Sequence, residues 1–172
     1  MPTMPEVARV LTVVTLAAMI AIVIFVAYSF IDTSLAKAMV LRQALSFPLD
    51  DASEGTLRMM MGIGLVAMLV QLYILNSVRD LFGLYARGIF LTDDNGHAIT
   101  RIGLGLITLP LVRFILEPLW TLLLTHGLDE RSVSISVSST GIGLMLGGIL
   151  MLMIGRSMSE AVRLRLENEA FV

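Results

Sequence analysis

The sequence predicts an all-α membrane protein with four transmembrane helices, a cytoplasmic helical hairpin between spans 2 and 3, and a short extended external segment. Hydrophobic residues make up 56% of the 172 residues and charged residues 15%, whereas a soluble domain carries about 25% charged residues. The charges fall mainly between four apolar runs. Three of these runs reach the ~20 residues that cross a bilayer as a helix. The length fits a single membrane domain, residues 1–172, surrounded by the lipid bilayer.

The positions of the spans follow from the apolar runs. Val10–Phe30 contains no charged residue, and Leu57–Val78 contains only one, in its first turn. Because the first run is longer than the ~7–15 apolar residues of a signal peptide, we interpret it as an uncleaved span. The fourth run, Gly141–Ile154, is short and reaches span length only with its flanking residues. The expected spans are about 9–30, 57–79, 102–124 and 139–156, followed by a tail at 157–172.

Lysines and arginines in the loops predict the orientation of the chain. An even number of spans places both termini on one side of the membrane. With both termini in the cytoplasm, seven basic residues lie inside and four lie outside, which is the arrangement that the positive-inside rule favours. The inside set is Arg9, Arg79, Arg87, Arg101, Arg156, Arg163 and Arg165, and the outside set is Lys37, Arg42, Arg58 and Arg131.

The connection between spans 2 and 3 has the signals of a helical hairpin. Residues 79–87 keep helical character, and Gly88 suits the left-handed position that ends a helix. Thr92 suits the N-cap of the next helix, whose first turn contains Asp94. Residues 79–87 add roughly 13 Å of helix beyond the span. We therefore expect the hairpin 79–101 to project into the cytoplasm.

Two charges and one amide lie at membrane depth. Arg113 and Glu117 are four residues apart in the third apolar run, so they share one helix face. A charge at that depth costs roughly 3 kcal/mol unless it faces protein or water and finds a partner. In an antiparallel pair of spans, Gln71 lies about one helical turn from Arg113 in depth. The cluster has two interpretations: a buried ion pair that fixes helix packing, or a site for an ion, a proton or a ligand. Trp120 indicates a nearby interface, so an orientation of Glu117 towards the outer interface also stays open.

The last span contains three glycines, Gly143, Gly147 and Gly155, on one helix face at four- and eight-residue spacing. In lipid this spacing permits close approach of two helices. We favour packing within the chain over a dedicated face for a second copy.

The external connection Ser132–Ser138 alternates serine with β-branched residues, which is typical of a strand. A lone strand has unpaired edges and needs a partner. A paired strand and an extended linker are both compatible with this pattern.

Residue types exclude several classes of function. The chain has no cysteine and a net charge of −2, so thiol chemistry is absent and there is no basic footprint for direct nucleic-acid binding. His97 and His126 are the only histidines, and the predicted topology places them on opposite faces of the membrane. No glycine-rich phosphate loop follows a strand. We expect no enzymatic activity, no metal and no cofactor.

Gly88, Thr92, Asp94 and Asn95 in the hairpin, and the acidic residues 167–169 near the end of the chain, form two motifs. Through these motifs the sequence resembles the bacterial membrane family called domain of unknown function 2975. Members of that family have four spans and a hairpin with a glycine, a short apolar step ending in Phe, Ser/Thr-x-Glu-Asn, a basic helical turn and Arg-Ile-Gly. Leu91 stands where Phe is usual, and 96–98 replaces the basic turn. The matching residues are Gly88, Thr92, Asp94, Asn95, Arg101, Ile102 and Gly103 in the hairpin, and Glu167, Asn168, Glu169, Phe171 and Val172 at the acidic end.

The resemblance implies a location in the bacterial inner membrane. Members of the family are often encoded beside small helix-turn-helix regulators, which implies a cytosolic transcriptional regulator as partner. The resulting hypothesis is a non-enzymatic membrane regulator or sensor that docks this partner. The alternative is a small transporter or ion-conducting homo-oligomer that uses Arg113, Glu117 and Gln71. The expected docking residues are Arg87, Gly88, Thr92, Asp94, Asn95, Arg101, Glu167, Asn168, Glu169 and Phe171.

Overall fold

The computed structural model describes residues 3–32, 34, 54–124 and 138–169, and these residues form four long helices. Each helix is long and apolar enough to cross a membrane. This confirms the predicted all-helical, multi-pass membrane protein. The predicted extended segment 132–138 lies outside the described residues. The helices are α1 (Met4–Ile31), α2 (Glu54–Ala86), α3 (Asp93–Leu124) and α4 (Ser139–Glu169).

The helices of this four-helix bundle pack in the order of the chain. α1 packs against α2, α2 against α3, and α3 against α4. Within the described parts of the chain, no other pair of helices brings Cα atoms within 8 Å of each other. The bundle is therefore open between α1 and α4, and α3 has the largest buried share. An open arrangement is compatible with a bilayer, because lipid covers apolar side chains that would be unstable in water.

The pair α2 and α3 is antiparallel. Near one end of the pair, the Arg101 guanidinium lies 3.5 Å from the Asp80 carboxylate. At the other end, a Cβ atom placed on Gly64 would lie 3.5 Å from the Trp120 ring. This register places Gln71 at about the depth of residues 110–111, so the predicted difference of one turn from Arg113 is consistent with the packing.

The pair α3 and α4 is also antiparallel and is held at close range by glycines. A Cβ atom placed on Gly103 would lie 2.7 Å from the Gly148 carbonyl oxygen, and one on Gly148 would lie 2.7 Å from the Gly103 carbonyl oxygen. Gly96 and Gly155 form a second contact of the same kind, with Gly155 placing a Cβ atom 2.8 Å from the Gly96 carbonyl oxygen. The two helix backbones touch directly, as small residues permit in lipid.

The glycine prediction for the last span is therefore correct at only one position. Gly155 packs against α3, whereas a Cβ atom on Gly143 or Gly147 would meet nothing within 4 Å. The helix is rotated so that its GxxxG pair points away from α3. The contact uses Gly148 instead, together with Gly96 and Gly103 of α3, which the sequence did not indicate as packing residues.

At one end of the bundle, α2 connects to α3. The C-terminal part of α4 lies at the same end. α2, α3 and α4 contain 33, 32 and 31 residues, or about 46–50 Å of helix. The hydrocarbon core needs only ~30 Å. The excess over the predicted spans lies mainly at this end, which we call the turn end. These lengths are compatible with the predicted projection of the helices at the turn end, which stays a prediction.

α1 is the most peripheral helix and packs through small residues. Its N-terminus is fixed by a hydrogen bond from the Thr3 backbone N–H to the Glu6 carboxylate, at 2.9 Å. Its buried residues are Ala8, Thr15 and Ser29. The two hydroxyls donate to carbonyl oxygens four residues earlier in the helix. Their polarity is thus satisfied locally, and their small size allows α2 to approach.

Candidate functional site

The turn between α2 and α3 contains the glycine cap that the sequence predicts. Gly88 has φ of 77°, and it is the only residue with positive φ among the described residues. The Gly88 N–H donates to the Tyr85 carbonyl at 3.0 Å, and the Ile89 N–H donates to the Leu84 carbonyl at 3.1 Å. This pair of bonds is the Schellman motif, which ends a helix and satisfies its last carbonyls. The helix–glycine–helix prediction is confirmed.

The start of α3 differs from the prediction in one respect. Thr92 occupies the N-cap position, because α3 begins at Asp93 and the Asn95 N–H donates to the Thr92 carbonyl at 3.1 Å. However, the buried Thr92 hydroxyl has no hydrogen-bond partner in the described part of the chain. Thr92 therefore caps the helix through its backbone, and the predicted side-chain contribution is not made.

Asn95 holds the turn together from inside. Its side chain is fully buried, and its Nδ2 donates to the Ile89 carbonyl at 3.0 Å. The bond joins the residue after Gly88 to the first turn of α3. Asn95 was predicted as a docking residue, but a fully buried side chain is not available to a partner. We correct its role to that of a residue that fixes the shape of the turn.

Two further contacts join charged residues near the turn. The Arg101–Asp80 ion pair links α3 to α2, and the His97 ring lies 3.2 Å from the Asp93 carboxylate. The Arg101 and Asp80 side chains are 43% and 39% exposed, and ion pairs with this much exposure contribute only ~0–1 kcal/mol. Sequence reasoning assigned Arg101 to partner docking and missed Asp80, although both lie at the base of the hairpin. Arg101 is half-buried and orders the hairpin.

The surface of the turn is apolar at its tip. Phe90 is 40% exposed and Leu91 is 66% exposed. The Phe90 ring also stacks on Tyr85, with centroids 5.5 Å apart, so its position is fixed by the helix. Arg87 and Asp94 are exposed beside these residues in the chain. The sequence indicated Leu91 only as a departure from a family pattern and did not predict the exposure of either residue.

The C-terminal part of α4 emerges beside this turn. A Cβ atom on Gly96 would lie 3.2 Å from the Ser159 backbone nitrogen, so the start of α3 and residue 159 are neighbours. The helix continues for ten residues beyond this contact, which is about 15 Å. Glu167, Asn168 and Glu169 are exposed on it, whereas Phe171 lies outside the described residues. The structure therefore brings the turn and most of the predicted tail residues to one end of the molecule.

The remaining predicted docking residues have mixed exposure. Gly88 is exposed and Thr92 is half-buried. With the buried Asn95, the family-like motif at this turn therefore contains exposed, half-buried and buried residues.

The intramembrane polar cluster is not assembled as predicted. Arg113 and Gln71 are exposed, and Glu117 is half-buried. No ion pair within 4.0 Å joins Arg113 to Glu117, and no hydrogen bond joins either residue to Gln71 in the described chain. A spacing of four residues permits a pair on a helix but does not require one. In the described part of the chain, the Arg113–Glu117 ion pair that the spacing suggested is therefore not formed.

Arg113 is nevertheless at an unusual place on α3. It lies four residues after Leu109 and three residues before Leu116, so the three side chains share one helix face. Leu109 and Leu116 are both buried. Arg113, between these two buried leucines, is exposed. A guanidinium at membrane depth is a candidate functional group, since it is costly there without a partner or water.

Together, the four apolar helices and their arrangement define a multi-pass helical membrane protein. No group of three or more His, Cys, Asp or Glu in the described residues is placed to hold a metal ion. No family model matches the chain, and neither a curated protein nor a solved structure is significantly similar to it. The resemblance to the domain of unknown function 2975 family therefore stays a prediction.

Replacing Gly88 and Gly83 by alanine should change the stability of the protein in opposite directions. Gly88→Ala should destabilise the turn by about 1 kcal/mol, because a side chain resists positive φ. Gly83→Ala should stabilise the protein by up to about 1 kcal/mol, because Gly83 is helical and a Cβ atom there meets nothing within 4 Å. Thermal unfolding in detergent measures both changes. Equal effects of the two substitutions would contradict the left-handed cap.

Proposed function

We propose that this protein is a non-enzymatic regulator or sensor of the bacterial inner membrane, with both termini in the cytoplasm. In this proposal the turn 87–95 and the tail 157–172 form a docking surface for a cytosolic protein, of the helix-turn-helix type that the family resemblance implies. The observation that carries the proposal is the exposed Phe90–Leu91 pair at the tip of a fixed turn.

The chemistry of the tip supports recognition of a protein. Binding energy in interfaces concentrates in a few apolar or aromatic anchors surrounded by polar residues. Phe90 and Leu91 supply such anchors, and Arg87 and Asp94 supply charges beside them. The Schellman motif and the Asn95 side chain hold the turn in one shape. A turn that is ordered before binding loses less conformational freedom when a partner binds.

The tail lies beside the turn and contributes a charged helix to the same proposed surface. Three ion pairs lie along it, Arg163–Glu160 at 2.6 Å, Arg163–Glu167 at 3.6 Å and Arg165–Glu169 at 2.9 Å. Pairs with this spacing stabilise a helix that has few other contacts. The tail therefore presents a charged helix next to the apolar tip, and neither feature is needed to cross the bilayer.

The proposal predicts that a charge at the tip abolishes docking. Leu91→Asp should remove most of the cytosolic protein that co-purifies with the chain after crosslinking in cells, because it places a carboxylate in the apolar anchor. Ile31→Asp is the matched control: Ile31 is 80% exposed, and it follows the expected span 9–30 on the predicted external side, away from the turn. Recovery of the same proteins from both variants and from the wild type would exclude docking at this tip.

Arg113 favours a second candidate, a small transporter or ion-conducting oligomer. An ionisable residue inside a span is by default a functional-site hypothesis. Arg113→Met discriminates the two proposals, because methionine fits the apolar surroundings and removes the charge. A docking regulator should keep its partner and unfold at the same or a higher temperature. A transporter should lose its flux in proteoliposomes.

A further inference from the structure

α4 carries a continuous stripe of side chains on the face that points away from α3. Its positions alternate by three and four residues over the whole helix, which is the heptad spacing of a coiled-coil seam. The residues that contact α3 lie elsewhere on the helix, since Gly148, Leu152 and Gly155 form that contact. Leu150 follows Gly148 by two residues, or about 200° around the helix. The stripe is Thr140, Gly143, Gly147, Leu150, Ile154, Ser157, Ala161, Leu164 and Asn168.

This stripe is uncovered in the single chain. Leu150 is 57% exposed, Ile154 44% and Leu164 50%. The two glycines of the stripe have open space where a Cβ atom would be. In the described chain α4 packs only against α3. The whole length of the stripe is therefore available to another helix.

Lipid does not account for all of this surface. Twenty residues from Ser139 reach residue 158, which is the length that crosses the hydrocarbon core. Ala161, Leu164 and Asn168 lie beyond it, in the charged part of the helix. A helix of about ten residues with no packed face is marginal in water. Ion pairs along this part of the helix stabilise it but leave Leu164 exposed, so a partner helix that covers the stripe here would add burial that lipid does not supply.

The residue types in the stripe fit a second copy of the same helix. If heptad position a is assigned to Thr140, then Ile154 falls at a, and Leu150 and Leu164 fall at d. β-Branched residues at a with leucine at d favour parallel pairs of helices. Asn168 also falls at a, where a single asparagine fixes register and favours two strands. Two copies inserted with the same orientation necessarily place their α4 helices parallel.

Charges beside the stripe are complementary between copies. Glu160 falls at position g and Arg165 at position e of the next heptad. In a parallel pair, position g of one helix lies against position e five residues further along the other helix. Glu160 therefore meets Arg165 of the second copy, and the symmetry makes this contact twice. Both side chains are exposed, and their present partners, Arg163 and Glu169, belong to exposed intrahelical pairs that rearrange at little cost.

We propose that two copies of this chain associate through α4, in parallel, along the stripe from Thr140 to Asn168. Glycines allow close approach within the membrane, and leucine packing and the Glu160–Arg165 contacts continue the interface beyond it. The proposal does not rest on the docking function, and Asn168 is the only predicted docking residue that the stripe contains. It leaves the apolar tip of the turn free in both copies.

Cysteine crosslinking tests the seam directly, because the chain contains no cysteine. Single replacements of Leu150, Ala161, Leu164 and Asn168 by cysteine should give disulfide-linked dimers on oxidation in native membranes. Ile149→Cys and Leu166→Cys are the controls, since these residues are also exposed but lie at the outer heptad positions c and f. Dimer formation confined to the stripe supports the proposal. Absence of stripe crosslinks, or equal yields at the controls, overturns it.

Two further variants separate association from folding. In the Leu164→Cys background, Gly147→Leu should abolish the crosslink, because it fills the site of close approach between copies. It should leave the monomer folded, as the space beside Gly147 is open in the chain. Gly62→Leu has equally open surroundings on α2 and should leave the crosslink unchanged. Persistent dimer in the Gly147 variant, at unchanged yield, overturns the proposal.

A charge exchange tests the register. Glu160→Arg alone and Arg165→Glu alone each place like charges against each other and should weaken the homodimer by about fivefold. A mixture of the two variants should form the mixed dimer in preference to either homodimer, because both contacts are then attractive. A random distribution of the three dimers would exclude a parallel register in which Glu160 meets Arg165.

Discussion

Gly148→Ala should lower the free energy of unfolding of the detergent-solubilised protein by about 2 kcal/mol, although alanine is the better helix former by ~1 kcal/mol. The added methyl group would lie 2.7 Å from the Gly103 carbonyl oxygen and 3.0 Å from the Ile107 backbone nitrogen. These are backbone atoms, so they cannot rotate away. α3 and α4 must separate, and the contacts along both helices weaken together. Gly103→Ala should act in the same direction for the same reason.

Gly62→Ala is the matched control for this prediction. Gly62 is a helical glycine within α2, and a Cβ atom on it meets nothing within 4 Å. Alanine there should raise the unfolding temperature slightly through helix propensity alone. If Gly148→Ala also raises the unfolding temperature, the close approach of α3 and α4 is not present in the detergent-solubilised protein.

The glycine contact shows what the sequence could and could not specify. Its members are spaced by seven residues on both helices, as Gly96 and Gly103 on α3 and as Gly148 and Gly155 on α4. Matched spacing on two adjacent spans was the available signal. The GxxxG pair drew the prediction to the wrong face, because a pattern on one helix does not determine how that helix is rotated against its neighbour. Rotation is decided by both surfaces together.

The number and type of the helices were predictable because length and apolarity are local properties. Val10–Phe30 and Leu57–Val78 are long enough to cross a bilayer in any tertiary arrangement. The glycine cap was predictable for the same reason, since Gly88 needs only its own backbone conformation. The Arg113–Glu117 pair was different, because a pair also depends on the side-chain directions and on the neighbouring helices. Spacing alone carries no information on either.

A second large loss of stability is expected at Asn95, because its side chain bonds to the turn that precedes α3. Asn95→Asp should destabilise the hairpin by about 3 kcal/mol, although the two side chains have the same shape. The substitution removes the amide that donates to the Ile89 carbonyl and places a carboxylate oxygen against that carbonyl, in a site that is fully buried. A buried charge without a hydrogen-bond donor and a carbonyl left without its partner are both costly.

The reverse exchange one residue earlier is the control for Asn95→Asp. Asp94→Asn changes the same atoms at an exposed position of the same helical turn, so it should cost only the small favourable interaction of an acid with the helix N-terminus, about 0.5 kcal/mol. Limited proteolysis of the hairpin in detergent, together with thermal unfolding, measures both variants. We expect cleavage within 83–95 to become rapid in the Asn95 variant and to stay slow in the Asp94 variant. Equal protease resistance in the two would show that the Asn95 side chain does not hold the turn. The proposed docking surface would then not be ordered before binding.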